Sequence, residues 1–421
     1  MRFVSATKAK PYDIPISLIY RAWFSVRANR GCAGVDGEAL EQFERKLDRN
    51  LYAIWNKMSS GSYFPPPVKA VAIPKKNGGE RILGIPTVGD RVAQTVVKIL
   101  LEERVEPIFL DDSYGYRPKK SAQDAIAVTR ERCWKYDWVL EFDIKGLFDN
   151  IDHALLMKAV EKHVELQWMK LYIRRWLTAP LEKADGTIVE RTTGTPQGGV
   201  VSPVLANLFL HYTFDMWMKR NHPANPWCRY ADDGLVHCRT EAEAEAMKSA
   251  LAHRLEQCHL EMHPEKTKIV YCKDGRRKND HDTTKFDFLG YHFRRRIARN
   301  KSRNQLFLGY LPAASSSALK AMRNKIRSQG WRNRADWNLQ QIADVANPLL
   351  RGWINYYGAF YASALYTVFN QMNRTLVAWA RHKYLRFRYS KTRAVAFLES
   401  ILKRRPNLFV HWGNGTIGSF V

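Results

Sequence analysis

The tetrapeptide Tyr230-Ala231-Asp232-Asp233 decides the reading of this chain. It lies between two apolar, β-prone runs, Trp227-Cys228-Arg229 and Leu235-Val236-His237-Cys238. Two acidic residues at the tip of such a pattern predict a strand-turn-strand hairpin, with Gly234 helping the bend. Neighbouring carboxylates repel unless a cation sits between them, and hard Mg²⁺ prefers carboxylate oxygen. Asp-Asp-Gly alone favours a solvated acidic turn. A third carboxylate in Val139-Leu140-Glu141-Phe142-Asp143-Ile144-Lys145-Gly146-Leu147-Phe148-Asp149 changes the balance. Val139 to Ile144 alternates like a strand, Gly146 breaks it, and Phe148 to Val160 predicts a helix capped by Asp149 or Asn150. Asp143, at a strand end facing the Asp-Asp hairpin, would complete a two-metal site for in-line phosphoryl transfer.

With 421 residues the chain has room for two or three domains. A net charge of +26 and a pI near 9.8 call for a polyanionic partner, and nucleic acid is the usual one. No apolar span or amphipathic anchor supports a membrane partner. The aromatic residues serve either as core or as stacking platforms for bases. Six cysteines without a Cys-x-x-Cys pair read as buried thiols of a reducing compartment. Met1 to Tyr20 lacks the apolar core of a secretory signal, so a cytoplasmic location is expected.

The two acidic motifs, in this order, resemble the palm of reverse transcriptases, whose active hairpin is Tyr-x-Asp-Asp. Other stretches narrow the resemblance to group II intron-encoded reverse transcriptase/maturases. Arg30 to Gly37 reads as a helix-helix loop, and resembles the segment before the fingers that engages template or intron RNA. Val68 to Lys75 and Arg81 to Pro86 flank a turn and predict a basic hairpin, with Lys69, Lys75 and Arg81 on one face. The resemblance makes it the fingers hairpin that clamps a nucleotide triphosphate. Thr87 to Glu106 predicts a helix in which Asp90 and Arg91 are polar surface. Ser113-Tyr114-Gly115-Tyr116-Arg117-Pro118 resembles the family's Ser-x-Gly-[Phe/Tyr]-Arg-Pro signature, where Arg117 either touches template or is buried in a structural role.

Phe148, five residues after Asp143, stands at the family's steric-gate position, where an aromatic ring would exclude a ribose 2′-hydroxyl. The resemblance also makes Ile144 a metal and nucleotide contact. Thr195-Pro196-Gln197-Gly198-Gly199-Val200-Val201-Ser202-Pro203 looks like the Pro-Gln-Gly motif, with Gln197 supporting the nucleotide and a helix over Val204 to Trp217. Lys266 reads either as a proton donor to leaving pyrophosphate or as a surface lysine. Phe286 to Phe293 predicts a strand hairpin and resembles the primer grip, with Gly290 at nucleic acid and Arg294-Arg295-Arg296 on phosphates. Helices are expected over 315–329, 337–358 and 361–384. Asn347 to Tyr357 resembles the maturase signature, and Arg351 and Asn355 are its candidate contacts to RNA or duplex.

The expected fold is α+β: a right-hand polymerase with an extension over 1–60, fingers and palm over 61–310, an α-helical thumb or maturase domain over 311–384, and a basic DNA-binding region over 385–421. The resemblance covers about residues 14 to 410 and departs in lacking the Cys-pair and His-Asn-His endonuclease of some relatives. It implies an RNA-directed DNA polymerase using two Mg²⁺ ions (or Mn²⁺), dNTPs, an intron RNA template, a DNA or RNA primer and target DNA, which also assists splicing. The rivals are an intron-free bacterial enzyme of phage defence or DNA repair and a splicing factor without polymerase activity. The three intact aspartates speak against the second. Ala231 and the maturase signature favour the intron-borne form over the first.

Overall fold

The computed structural model describes residues 10–74, 78–277, 279–300, 304–413 and 420. The chain opens with helices α1 (Ile16–Ala28), α2 (Leu40–Glu44) and α3 (Leu47–Ser59), then strands β1 (Val68–Pro74) and β2 (Glu80–Ile85). Helices α4 (Val88–Val105) and α5 (Ala122–Lys135) lead to β3 (Trp138–Asp143), α6 (Leu147–Asn150), α7 (His153–His163) and α8 (Gln167–Leu177). After the short β4 (Leu181–Glu182) and β5 (Ile188–Val189) come α9 (Ser202–Leu210), a π-helical turn at His211–Asp215, and α10 (Met216–Asn221). The hairpin β6 (Trp227–Tyr230) and β7 (Asp233–Cys238) precedes α11 (Glu241–Gln257) and β8 (Lys268–Tyr271). Strands β9 (Phe286–Phe288), β10 (Tyr291–Asn300) and β11 (Gln305–Ala314) are followed by α12 (Ser316–Ser328), α13 (Leu339–Tyr361), α14 (Tyr366–Lys383) and α15 (Lys391–Arg404).

Two compact units divide the described residues. The first holds the chain up to Ser121, Leu140–Val236 and Ala242–Lys268; the second holds Ala122–Val139, His237–Glu241 and Ile269 onward. The division runs through β3 and β7, strands of a sheet ordered β6-β7-β3-β8.

In the first unit, β1 and β2 pair antiparallel, and Lys69 opposite Ile85 and Ile73 opposite Arg81 put Lys69 and Arg81 on one face. Thr87 caps α4 by accepting the Asp90 N–H at 3.2 Å. Asp90 and Arg91 are not surface residues, as their polarity suggested, but buried. Tyr63 and Trp176 each donate to Asp90 Oδ1 at 2.8 Å, and Gln94 donates to Oδ2 at 2.9 Å. Arg91 donates to the Cys32 carbonyl and so holds the Arg30–Gly37 loop. A buried polar side chain survives with partners; Asp90 has three, whereas Arg91 is met at Nη2 while its buried Nε has none among the described residues. The helix cap expected at Asp149 or Asn150 is instead Asp152, whose Oδ1 accepts the Leu155 N–H at 2.8 Å.

Beneath the β6–β7 hairpin lies a buried ion pair. Arg229, the one charge in an otherwise apolar strand, directs all five N–H donors at named partners. Nε and Nη2 reach Asp215 at 2.8 Å each, Nη2 also reaches Ser113 Oγ at 2.8 Å, and Nη1 reaches Asn207 Oδ1 and the Ala231 carbonyl at 3.1 Å. Its main chain pairs with the same segment: Arg229 N–H donates to Asp112 O at 2.9 Å and Tyr114 N–H to Arg229 O at 2.8 Å. Asp215 sits in the π turn, a distortion that lets a side chain point where regular helix geometry would not.

In the second unit, β10 pairs with both β9 and β11. Strand β11 was not anticipated, although Leu306-Phe307-Leu308 is β-prone, because the change to helix was placed at Leu311. Helices α12, α13 and α14 fall where their periodicity placed them. Ile342, Ala346, Phe369, Met372, Leu376 and Trp379 form their core. The segment after 385 is more than a basic surface. Leu398, Leu402, Phe409 and Trp412 are buried in this core. Five of the six cysteines are buried; Cys32 is exposed.

Arg229→Met strands the Asp215 carboxylate without its counter-charge, a loss worth about 3–5 kcal/mol for a buried pair. A fall of roughly 10 °C in melting temperature is expected. A melting temperature unchanged from wild type would remove Arg229 as the hairpin's anchor.

Candidate active site

Asp143 ends β3, Asp232 lies with Ala231 in the β6–β7 turn, and Asp233 opens β7. The turn is made by Ala231, whose φ of 58° is left-handed, and not by Gly234. Gly234 is required for another reason: a Cβ there would overlap the Phe142 ring, which packs against β7. The His263 N–H donates to Asp143 O at 2.8 Å and the Lys145 N–H to Glu261 O at 2.9 Å, fixing the end of β3 on both sides of Ile144. The Ile144 side chain is buried, so any ligand would meet its main chain alone.

The three carboxylates share one electrostatic neighbourhood. Asp233 keeps surface exposure at the turn yet lies deep among surrounding protein atoms. This desolvation, then the charges of Asp232 and Asp143, push it up to about 7. Asp232 is raised mainly by desolvation, with Asp143 adding to it and Lys266 and Arg81 opposing. The Lys266 ammonium pairs directly with Asp143 Oδ2. Desolvation alone would lower Lys266, but that hydrogen bond and the three carboxylate charges hold it above the usual lysine value. Among the described residues, no three carboxylate, imidazole or thiol groups form a ready-made ion cage. The donor chemistry nevertheless fits a divalent cation. The Asp232 and Asp233 oxygens are crowded enough to resist ionisation, and one ammonium only half-hidden from solvent offsets them.

Around this cluster stand the other expected residues. Arg81 is exposed on β2 and close enough to Asp232 to lower its carboxyl. Lys69 is exposed on the same face, and Lys75 lies outside the described residues. Phe148 is half-buried, edge-on to Tyr116 with 6.5 Å between ring centroids. Tyr116 itself is held in a left-handed conformation, φ 57°, and its phenol is raised by burial and then by Asp232. The loop from Gly194 to Ser202 is tied on several sides. Thr195 N–H donates to Phe148 O at 2.6 Å, Gln197 Nε2 to Asp149 Oδ2 at 3.0 Å, and Gly84 N–H to Gln197 O at 2.7 Å.

Of the two roles open to Arg117, its surroundings match the structural one: its side chain is 5% exposed, paired with Glu106 at 2.8 Å and donating to the Leu110 and Ser113 carbonyls, so it braces the Ser113–Pro118 turn. In the second unit Gly290 follows Leu289 in a left-handed turn, φ 78°, where a Cβ would press on the Tyr357 hydroxyl at 2.9 Å. Tyr356 OH donates to Leu289 O at 3.0 Å and Tyr291 OH donates to Tyr356 O, so α13 holds this turn. Arg351 and Asn355 are exposed one helical turn apart on α13. Asn347 faces inward, bonding Leu408 O and Val410 N–H at 2.9 and 3.0 Å.

An acidic hairpin set beside a strand aspartate, with a basic β-hairpin and an aromatic pair nearby, is the arrangement expected of a nucleic-acid polymerase. Residues 73–293 match the family of reverse transcriptases (RNA-dependent DNA polymerases), and residues 319–395 match the group II intron maturase-specific domain. The chain belongs to the reverse transcriptase family and carries the maturase domain of group II intron proteins. It is similar to Protein YkfC of Escherichia coli, at 32% identity over 64% of this chain and 77% of that protein. It is also similar to the group II intron-encoded protein LtrA of Lactococcus lactis, at 34% identity over 49% of this chain. There it spans 34%, about a third, of the relative's length. A telomerase structure from Candida albicans covers 90% of this chain and 69% of its own at 12% identity, with a TM-score of 0.46. No described helix is long and apolar enough to cross a membrane.

Asp233→Asn removes a repelling charge, so in chelator its melting temperature should equal or exceed that of wild type. Millimolar Mg²⁺ should raise the wild-type melting temperature and leave the variant's nearly still. Equal responses of the two proteins to Mg²⁺ would take Asp233 out of the cation site.

Proposed function

We propose that this chain is a cytoplasmic RNA-directed DNA polymerase that copies intron RNA into DNA during retrohoming and binds the same RNA to assist its splicing. The observation that carries the catalytic half is the shared electrostatic neighbourhood of Asp143, Asp232 and Asp233 beside Lys266 and Arg81. The three aspartates would hold two Mg²⁺ ions, with Mn²⁺ as a substitute. Such a pair supplies activation of the primer 3′-hydroxyl and neutralises charge on the departing pyrophosphate.

The chain's own residues do the rest. Arg81 and Lys69, with Lys75, neutralise the triphosphate, Arg as a planar fork and Lys as a point charge. Phe148 presses on C2′ of the incoming dNTP and leaves no room for a ribose hydroxyl. Gln197, oriented by Asp149 and by the Gly84 N–H, supports the nucleotide. Lys266 Nζ offers a proton to the leaving pyrophosphate. In the second unit Gly290, Arg351 and Asn355, with the basic stretch Arg386 to Arg393, take RNA template, DNA or RNA primer and target DNA. The net charge of +26 makes that binding fall steeply with salt.

Primer extension on an RNA template with Mg²⁺ and dNTPs tests the catalytic half. Asp232→Asn should lose extension by more than the roughly 10–100-fold typical of an outer-shell change, while intron splicing survives. Splicing without any extension by wild type would sink the polymerase reading. For the gate, Phe148→Ala should raise ribonucleotide use relative to deoxynucleotide use by at least about tenfold, the discrimination one removed steric clash can supply. Unchanged sugar preference would take Phe148 out of that role.

A further inference from the structure

A second tether holds the Gln197 loop from α4, and nothing in the proposed chemistry uses it. Gln94 on α4 directs its side-chain carbonyl at the loop. Oε1 accepts the Val200 N–H at 2.7 Å and the Val201 N–H at 3.3 Å. An amide can present oxygen there only if its other end accommodates two N–H donors. Asp90 Oδ2 accepts from Gln94 Nε2 at 2.9 Å and so sets the amide's orientation. Asp90 is itself oriented, because its other oxygen accepts from Tyr63 OH and Trp176 Nε1, both at 2.8 Å. Asp90 and Gln94 are 1% and 2% exposed, so water cannot substitute for a lost partner.

We propose that Asp90 and Gln94 are positioning residues: the carboxylate fixes the Gln94 amide, and the amide sets the Val200–Val201 backbone and with it the placement of Gln197 against the incoming nucleotide. The inference rests on the nucleotide-supporting role given to Gln197 above. The coupling depends on donor and acceptor polarity. In Asp90→Asn, the new amide nitrogen confronts Gln94 Nε2, donor against donor. If Gln94 flips to relieve this, its own amide nitrogen confronts the Val200 and Val201 N–H groups instead. In Gln94→Glu, two carboxylates confront each other. Combining Asp90→Asn with Gln94→Glu reverses one hydrogen bond and keeps every other one. The amide oxygen introduced by the first change still accepts from Tyr63 and Trp176, and its nitrogen donates to the carboxylate introduced by the second. That carboxylate still accepts the two loop N–H groups. The buried charge moves but does not change in number.

The test is primer extension at varied dNTP concentration, paired with hydrogen exchange over residues 194–202. Each single variant should raise KM for dNTP about tenfold, with kcat and primer-template affinity changed far less, and should speed exchange of the loop amides. The double variant should return both quantities to within about twofold of wild type. If the single variants do not fold, a soluble double variant with wild-type KM supports the coupling equally. A double variant that melts like wild type but keeps a raised KM overturns the proposal. So do single variants whose exchange quickens while KM stays put, since that is a structural role alone. Should wild type extend no primer, the polymerase reading fails on its own, and exchange in the two singles and the double still decides whether Asp90 and Gln94 set the loop.

Discussion

The structure of the first unit depends on the buried pair of Arg229 and Asp215. Taking both ions out of water costs several kcal/mol each, and attraction alone does not reliably offset it. Here the remaining cost is met by completeness, because all five guanidinium donors find acceptors and none is left to water. What the pair contributes is placement. Ser113, Asn207, Asp215 and the Ala231 carbonyl belong to separate stretches of chain, and one planar fork fixes them together. Asn207 extends the connection by donating to Gly115 O at 2.7 Å. A left-handed alanine at the hairpin tip is strained, and it persists because the surrounding contacts leave the backbone no alternative.

That rigidity serves a destabilised surface. Asp232 and Asp233 are held where desolvation and mutual repulsion oppose their ionisation, and the nearby cations offset only part of it. A flexible turn would relax by letting the carboxylates diverge into solvent. Anchored from below, the hairpin cannot, so the unfavourable concentration of charge persists. On the proposed function this is the usual exchange of stability for function, with the charge held ready for a cation.

Much of this was legible in the sequence, and the reasons differ by residue. The hairpin, the β3 aspartate and helices α12 to α14 carry their signal locally, in alternation, glycine placement and periodicity. Buried polar residues do not. Asp90 and Arg91 look like surface from composition alone, Arg117 reads equally as template contact or buried brace, and only the fold brings Tyr63, Trp176, Cys32 and Glu106 within reach of them. Arg229 did leave a mark, since a lone arginine in an apolar strand needs a carboxylate, but the partner lies in a π turn no periodicity foretells. Gly234 was assigned to the wrong cause. Its lack of a side chain serves the Phe142 ring across the sheet, a demand invisible along the chain.

The Gly194–Ser202 loop shows how a glycine-rich segment can be both accessible and ordered. Thr195, Val201 and Ser202 are buried, and Gly199 N–H donates to Pro196 O within the loop at 3.0 Å, but most of its backbone is satisfied from outside. The partners come from three elements: α6 through Phe148 O and Asp149, β2 through Gly84, and α4 through Gln94. Main-chain hydrogen bonds are short and directional, so a shift of the fingers strand that moves Gly84 must either carry Gln197 with it or break the 2.7 Å bond. The loop therefore links the strand bearing Arg81 mechanically to Gln197. On the roles proposed for those two residues, triphosphate capture and nucleotide placement would be one event instead of two.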